Sequence, residues 1–212
     1  GEGVFIYDES GRRYVDLYNN VPCVGHCHPH FVKTVSSQLK TLNVHNRYLH
    51  QSILDYADRL INTHHDSIES VIFSCTGTEA NEIALQMARL VTGGQGIICT
   101  DATYHGNSVE VSRLTGAKRD QGDVRSIPFP ETYRTDTEDP LNHHLRELQL
   151  VIESFREDGT PFAGMLVCPI LANEGLPNRP KGYMAEAAKI VRQAGGVFMA
   201  DEVQAGLCRT GM

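Results

Sequence analysis

The chain has 212 residues, 41% of them hydrophobic and 21% charged, and a formal net charge of −7. These proportions fit a soluble globular chain and exclude disorder over most of the length. The acidic balance, with no basic run denser than Lys118-Arg119, argues against nucleic acid or an anionic membrane surface as a partner. No apolar stretch approaches the roughly 20 residues that a membrane-spanning helix needs.

Residues 4–7 and 14–18, around the turn Asp8-Glu9-Ser10-Gly11, read as a hairpin. A helix is expected after Pro29, with Phe31, Val35, Leu39 and Leu42 spaced by three and four, and a second over 51–62. The pattern then changes. Residues 71–75 form a short apolar strand candidate. A helix follows with Ala80, Ile83, Ala84, Met87, Ala88 and Val91 as its stripe and Gly93-Gly94 at its end. Residues 96–100 predict a strand. Residues 117–140, with Pro128, Pro130 and Pro140 and no period, predict a long loop. A helix over 141–157, a strand over 165–170, a helix over 184–194 and a strand over 197–203 complete the series. Continuous apolar strands alternating with helices imply an α/β fold: a mostly parallel sheet with helices on both faces. Ligands of such sheets sit beyond the carboxyl ends of the strands.

Three segments at strand ends carry candidate chemistry. At Thr76-Gly77-Thr78-Glu79-Ala80-Asn81, Gly77 admits a close ligand, and the helix start with the Thr78 hydroxyl suits a phosphate. The same residues also satisfy an ordinary helix cap. In Thr103-Tyr104-His105-Gly106 an aromatic at a strand end can stack on a planar ring, or simply close the core edge. In Asp201-Glu202-Val203-Gln204 a carboxylate at a strand end can hold a pyridine nitrogen protonated, cap a helix or bind a metal. The dense run Cys23-Val24-Gly25-His26-Cys27-His28-Pro29-His30 invites a zinc reading, but no second cysteine pair supplies the usual spacing, and no metal is expected.

Read together, these segments resemble class III aminotransferases, which depend on pyridoxal phosphate (PLP), over essentially the whole chain. Gly25-His26-Cys27-His28-Pro29, Thr76 to Asn81, Tyr104-His105-Gly106, Asp201 to Gln204 and Gly206-Leu207-Cys208-Arg209-Thr210-Gly211 each resemble an ordered motif of that family. Asn19-Asn20-Val21-Pro22, Leu42-Asn43 and Arg47-Tyr48-Leu49-His50 resemble the branch containing ethanolamine-phosphate phospho-lyase and alanine–glyoxylate aminotransferase 2.

The resemblance implies a fold type I PLP-dependent transferase with an incomplete large domain: part of a small domain over 1–45 and the first half of the large domain over 46–212. It implies PLP held by Gly77, Thr78, Tyr104, His105, Asp201 and Gln204, with Asp201 as the catalytic residue. It also implies a homodimer, acting on an amine or amino acid and a keto acid. Two departures stand out. Cys168 occupies a position where the family carries a glutamate, and Asn107 replaces the arginine that acetylornithine-type members place after the aromatic-His-Gly. The resemblance places the family's cofactor-bearing lysine a couple of dozen residues beyond Gln204, and the chain stops first, so a fragment is expected. No export signal is read in residues 1–20, which implies a cytoplasmic protein with reduced cysteines.

Overall fold

The computed structural model describes residues 1–18, 22–45, 47–116, 122–207 and 209–210. Asn19-Asn20-Val21, Lys118-Arg119, Cys208 and Gly211 lie outside the described residues. The chain divides into two compact units, Gly1–Phe73 and Ser74–Met212.

In the first unit, β1 (Phe5–Tyr7) and β2 (Arg13–Val15) pair antiparallel, with Phe5 opposite Val15. The Asp8 carboxylate shapes the turn by accepting the N–H groups of Ser10 and Arg12 at 2.9 and 3.0 Å. Helix α1 (Pro29–Thr41) opens on a proline, whose missing N–H costs nothing at a helix start. In α2 (Gln51–Ile61) the His50 ring caps the first turn. Neither helix has a buried residue. The expected strand over 71–75 does not form among the described residues, and Ile72 is 60% exposed. An apolar run becomes a strand only where a neighbour completes its hydrogen-bond ladder, and none is described beside it.

The second unit is built from α3 (Gly77–Thr92), β3 (Gly96–Thr100), α4 (Val109–Ser112), β4 (Val124–Ile127), α5 (Pro140–Glu157), β5 (Phe162–Val167), α6 (Tyr183–Gln193) and β6 (Val197–Ala200). The four strands run parallel in the order β4-β3-β5-β6. Alternate side chains of β3 feed two cores. Ile98 packs with Ile127, Met165 and Val167 under α5 and α6, through Leu148, Phe155, Tyr183 and Val191. Ile97 and Cys99 pack with Val124, Leu166 and Met199 under α3 and the α4 segment, through Leu85, Ala88, Val111 and Leu114. Helices therefore cover both faces of the parallel sheet.

Three sequence expectations need correction. Strand β4 lies inside the expected loop 117–140. Its Arg125 and Ser126 break the apolar run, yet both are buried, because the Arg125 guanidinium stacks 4.1 Å over Phe155 and pairs with Asp158. The strand expected over 165–170 runs from Phe162 to Val167, since Cys168 begins a turn and Pro169 has no N–H to donate. Finally, α3 buries Asn81, Leu85 and Ala88. Met87 and Val91 from the expected stripe are 50% and 78% exposed. The polar Asn81 holds a core-phase position, which shifted the apparent stripe.

Candidate functional site

Helix α3 begins at a cap built from both directions. The Thr76 hydroxyl accepts the Glu79 N–H at 3.1 Å, and the Glu79 carboxylate accepts the Cys75 N–H at 2.7 Å. Gly77 and Thr78 occupy the first two helical positions, whose N–H groups have no acceptor within the helix. Their donors and the positive end of the helix dipole are oriented to receive an anion.

Strand β6 ends at Ala200, and Asp201 follows at its carboxyl end, 7% exposed. The chain turns there because Asp201 Oδ1 accepts the Val203 N–H at 3.1 Å. Asp201 Oδ2 accepts two side-chain donors, His105 Nδ1 at 2.7 Å and Asn81 Nδ2 at 2.9 Å. A carboxylate only accepts, so His105 carries a proton on Nδ1, and its Nε2 lies 3.1 Å from the Thr103 hydroxyl. Burial alone would raise the Asp201 carboxyl. The hydrogen bonds from His105, the Val203 N–H and Asn81 outweigh it and hold the group below the usual carboxylate range.

The segment after β3 closes the arrangement. Asn81 Nδ2 also donates to the His105 carbonyl at 2.9 Å. Gly106, at φ +138°, lies against the Thr78 side chain, and a Cβ there would collide with the Thr78 hydroxyl. A Cβ on Gly77 would come within 2.5 Å of Val203 Cγ2. These two glycines let the helix start, the 103–106 segment and the turn after β6 approach one another. Tyr104 is 45% exposed, and its carbonyl accepts from Asn173 Nδ2 at 3.3 Å.

The structure thus brings Gly77, Thr78, His105 and Asp201 together at one carboxyl edge of the sheet. Tyr104 stands beside them in the chain, and Gln204 is half-buried three residues past Asp201. Cys168, at the end of β5, is 4% exposed; burial raises its thiol, and the Asp201 and Glu174 carboxylates add to the effect. A carboxylate still reaches this edge, since Glu174 Oε1 accepts the Thr100 hydroxyl at 2.7 Å. Asn81 closes the motif that starts at Thr76, yet its local residue pattern assigns it no role. The available signal was a polar residue in phase with Leu85 and Ala88.

These residues fit PLP by shape and charge. There is a donor-lined helix start for a phosphate, an exposed aromatic for a ring face and a buried, ionised carboxylate for a pyridine nitrogen. Among solved structures, a phospholyase from Arthrobacter in complex with phosphoethanolamine is 35% identical with a TM-score of 0.92, covering 100% of this chain and 52% of that one. Taurine:2-oxoglutarate aminotransferase from Bifidobacterium kashiwanohense, in complex with PLP and glutamate, is 26% identical with a TM-score of 0.87, covering 99% and 51%. Alanine–glyoxylate aminotransferase 2 homolog 2, mitochondrial, of Arabidopsis thaliana is 36% identical over 100% of this chain and 46% of its own length. The chain spans about half the length of the relatives it matches. The family described as Aminotransferase class-III matches residues 1–212, and the chain belongs to that PLP-dependent family.

Proposed function

We propose that this chain supplies the cofactor-binding half of a PLP-dependent aminotransferase, with the PLP phosphate at Gly77 and Thr78 and the ring between Tyr104 and the Asp201 edge. The observation that carries the reading is Asp201, buried at a strand end yet held ionised by three donors. The N–H groups at the start of α3 would hold the phosphate, Tyr104 would cover the ring, and Gln204 would serve the ring hydroxyl. Asp201 would hold a proton on the ring nitrogen, and the bonds from His105 and Asn81 keep its carboxylate anionic for that role. When bound, PLP supplies an electron sink for the charge developing at the substrate carbon.

The amino group passes between an amine or amino acid and a keto acid. On this reading residues 1–45 belong to a small domain, residues 46–212 to the large one, and the working enzyme is a cytoplasmic homodimer. No lysine follows Asp201 in the 212 residues. The chain spans about half the length of its relatives, and the amino transfer proposed here is that of the whole protein. A second reading, elimination of phosphate from an amino-alcohol phosphate, is favoured by the 35% identity to the Arthrobacter phospholyase.

Expression of this chain, and of an extended form that reaches the length of its relatives, tests both. Each form is assayed with an amino-donor panel plus pyruvate and 2-oxoglutarate, and with phosphoethanolamine for phosphate release. Amino transfer by the extended form alone supports the first reading, and phosphate release without transfer selects the second. An extended form without PLP absorbance or activity refutes the cofactor reading.

A further inference from the structure

We propose that Asn81 is a positioning residue that saturates Asp201 Oδ2, leaves Oδ1 as the atom that receives the cofactor's ring nitrogen, and ties the phosphate end of the site to the nitrogen end. The inference rests on the PLP reading above. It goes beyond that reading by assigning one carboxylate oxygen and the residue that selects it.

Donor and acceptor accounting makes the assignment. A carboxylate offers about four acceptor directions, two on each oxygen. On Asp201, Oδ2 takes both Asn81 Nδ2 at 2.9 Å and His105 Nδ1 at 2.7 Å. Among the described residues Oδ1 takes only the Val203 N–H at 3.1 Å, so one of its directions stays available. The orientation of the Asn81 amide follows from its partners. The His105 carbonyl and Asp201 Oδ2 are both acceptors, so the NH2 faces them and spends both of its protons there.

Position in the fold makes the link. Asn81 lies three residues after Thr78 on α3, and residues so spaced share one helix face. The first turn of α3 therefore holds the 103–106 segment at two points, Asn81 on the His105 carbonyl and Thr78 against Gly106. Asn81 also holds the end of β6, 120 residues away in sequence, through Asp201. A shift of the phosphate-binding turn is transmitted to the carboxylate. At 6% exposure Asn81 has no water to replace either bond if it is removed.

The test compares two probes on the 212-residue chain: PLP, and its carbocyclic analogue with a ring CH in place of the nitrogen. The analogue keeps the phosphate and the stacking face and loses only the nitrogen contact. The unaltered chain should bind PLP more tightly than the analogue. Asn81→Leu should weaken PLP on the order of tenfold, the value of one hydrogen bond to a charged group. The analogue, and competition by inorganic phosphate, should change much less. Asn81→Ser, which keeps a donor in a smaller side chain, should fall between the two.

A structural bridge without the positioning role weakens both probes equally in Asn81→Leu, and that result overturns the proposal. A second readout needs no cofactor. Carboxyl 13C titration should show the Asp201 midpoint rising in Asn81→Leu, and an unchanged midpoint also overturns it. If the unaltered chain does not distinguish PLP from the analogue, the nitrogen pairing itself fails. If it does, and Asn81→Leu preserves the full preference, only the role of Asn81 fails.

Discussion

Among the described residues, two aspartate–histidine pairs of nearly equal length stand one in each unit. His26 Nε2 and Asp16 Oδ2 lie 2.8 Å apart, with side chains 24% and 13% exposed. His105 Nδ1 and Asp201 Oδ2 lie 2.7 Å apart, with side chains 0% and 8% exposed. The difference lies in what surrounds them. Beyond His26, Asp16 accepts the Tyr18 N–H, whereas Asp201 accepts both Asn81 and the Val203 N–H, and His105 is held from behind by Thr103. Distance alone therefore does not make a site. A pair acquires chemical consequence when burial removes competing water and a network fixes each proton. The two units differ in the same sense. Residues 1–73 fold into a hairpin and two amphipathic helices with no buried helical residue, while residues 74–212 enclose a core on each face of a sheet.

The largest effect should come from testing that asymmetry in the cores. Phe155, on the buried face of α5, is fully buried beneath the Arg125 guanidinium. Phe155→Ala should destabilise the second unit by about 3–5 kcal/mol in denaturant unfolding. Leu39→Ala, at a residue 60% exposed on α1, should change stability by no more than about 0.5 kcal/mol. Comparable losses from the two would break the contrast between the units.

The same contrast explains what the sequence made legible. The candidate motifs are contiguous runs at strand ends, so the turn at the start of α3, the aromatic-His-Gly segment and Asp201 could be picked out from local residue types and the sheet rule. The bond between Asn81 and Asp201 spans 120 residues, and no local period encodes it. Strand β4 was missed because Arg125 looks like a loop residue until Phe155 and Asp158 are seen beside it. The run over 71–75 erred in the other direction. Its apolar composition is strand-like, but pairing is a relation to a neighbour and cannot be read from one segment.

A smaller effect should follow from the close approach at Gly106. Gly106→Ala places a methyl group on the Thr78 hydroxyl and forces a non-glycine residue to φ +138°. A cost on the order of 1–3 kcal/mol is expected from the backbone strain. PLP binding, followed by its absorbance change, should fall with it. Gly11→Ala, at φ +84° but in open space, should lower stability without touching the cofactor.

The two aspartates should also separate in acid. Both carboxyls lie below their usual range, Asp16 chiefly through His26, and Asp201 through His105, Val203 and Asn81 acting against burial. A depressed folded value means stability present above the unfolded value of about 3.9 and lost as pH falls through the folded one. The deficit of Asp201→Asn relative to the unaltered chain should therefore be full near neutrality and close below about pH 4. Asp16→Asn should show a smaller deficit that added salt shrinks, since its pair is reached by solvent. Equal deficits with equal salt dependence would show that burial does not distinguish the pairs.

The smallest effect concerns the two helix caps. Thr76 accepts the Glu79 N–H at 3.1 Å, and Glu79 answers with the Cys75 N–H, so two helix-end donors of α3 are satisfied together. At α2, His50 Nδ1 accepts the Ser52 N–H at 3.3 Å, a longer bond with no reciprocal partner. Thr76→Ala should cost about 1 kcal/mol, read as faster amide exchange in the first turn of α3. His50→Ala should cost less, since the bond it loses is the longer and unreciprocated one. The α3 cap also sets the direction of the Gly77 and Thr78 N–H groups. Thr76→Ala should therefore weaken inorganic phosphate binding to the chain, while His50→Ala leaves it unchanged. If Thr76→Ala frays the helix start and phosphate affinity stays the same, the anion is not held at that turn, and Gly77 and Thr78 lose their assigned role.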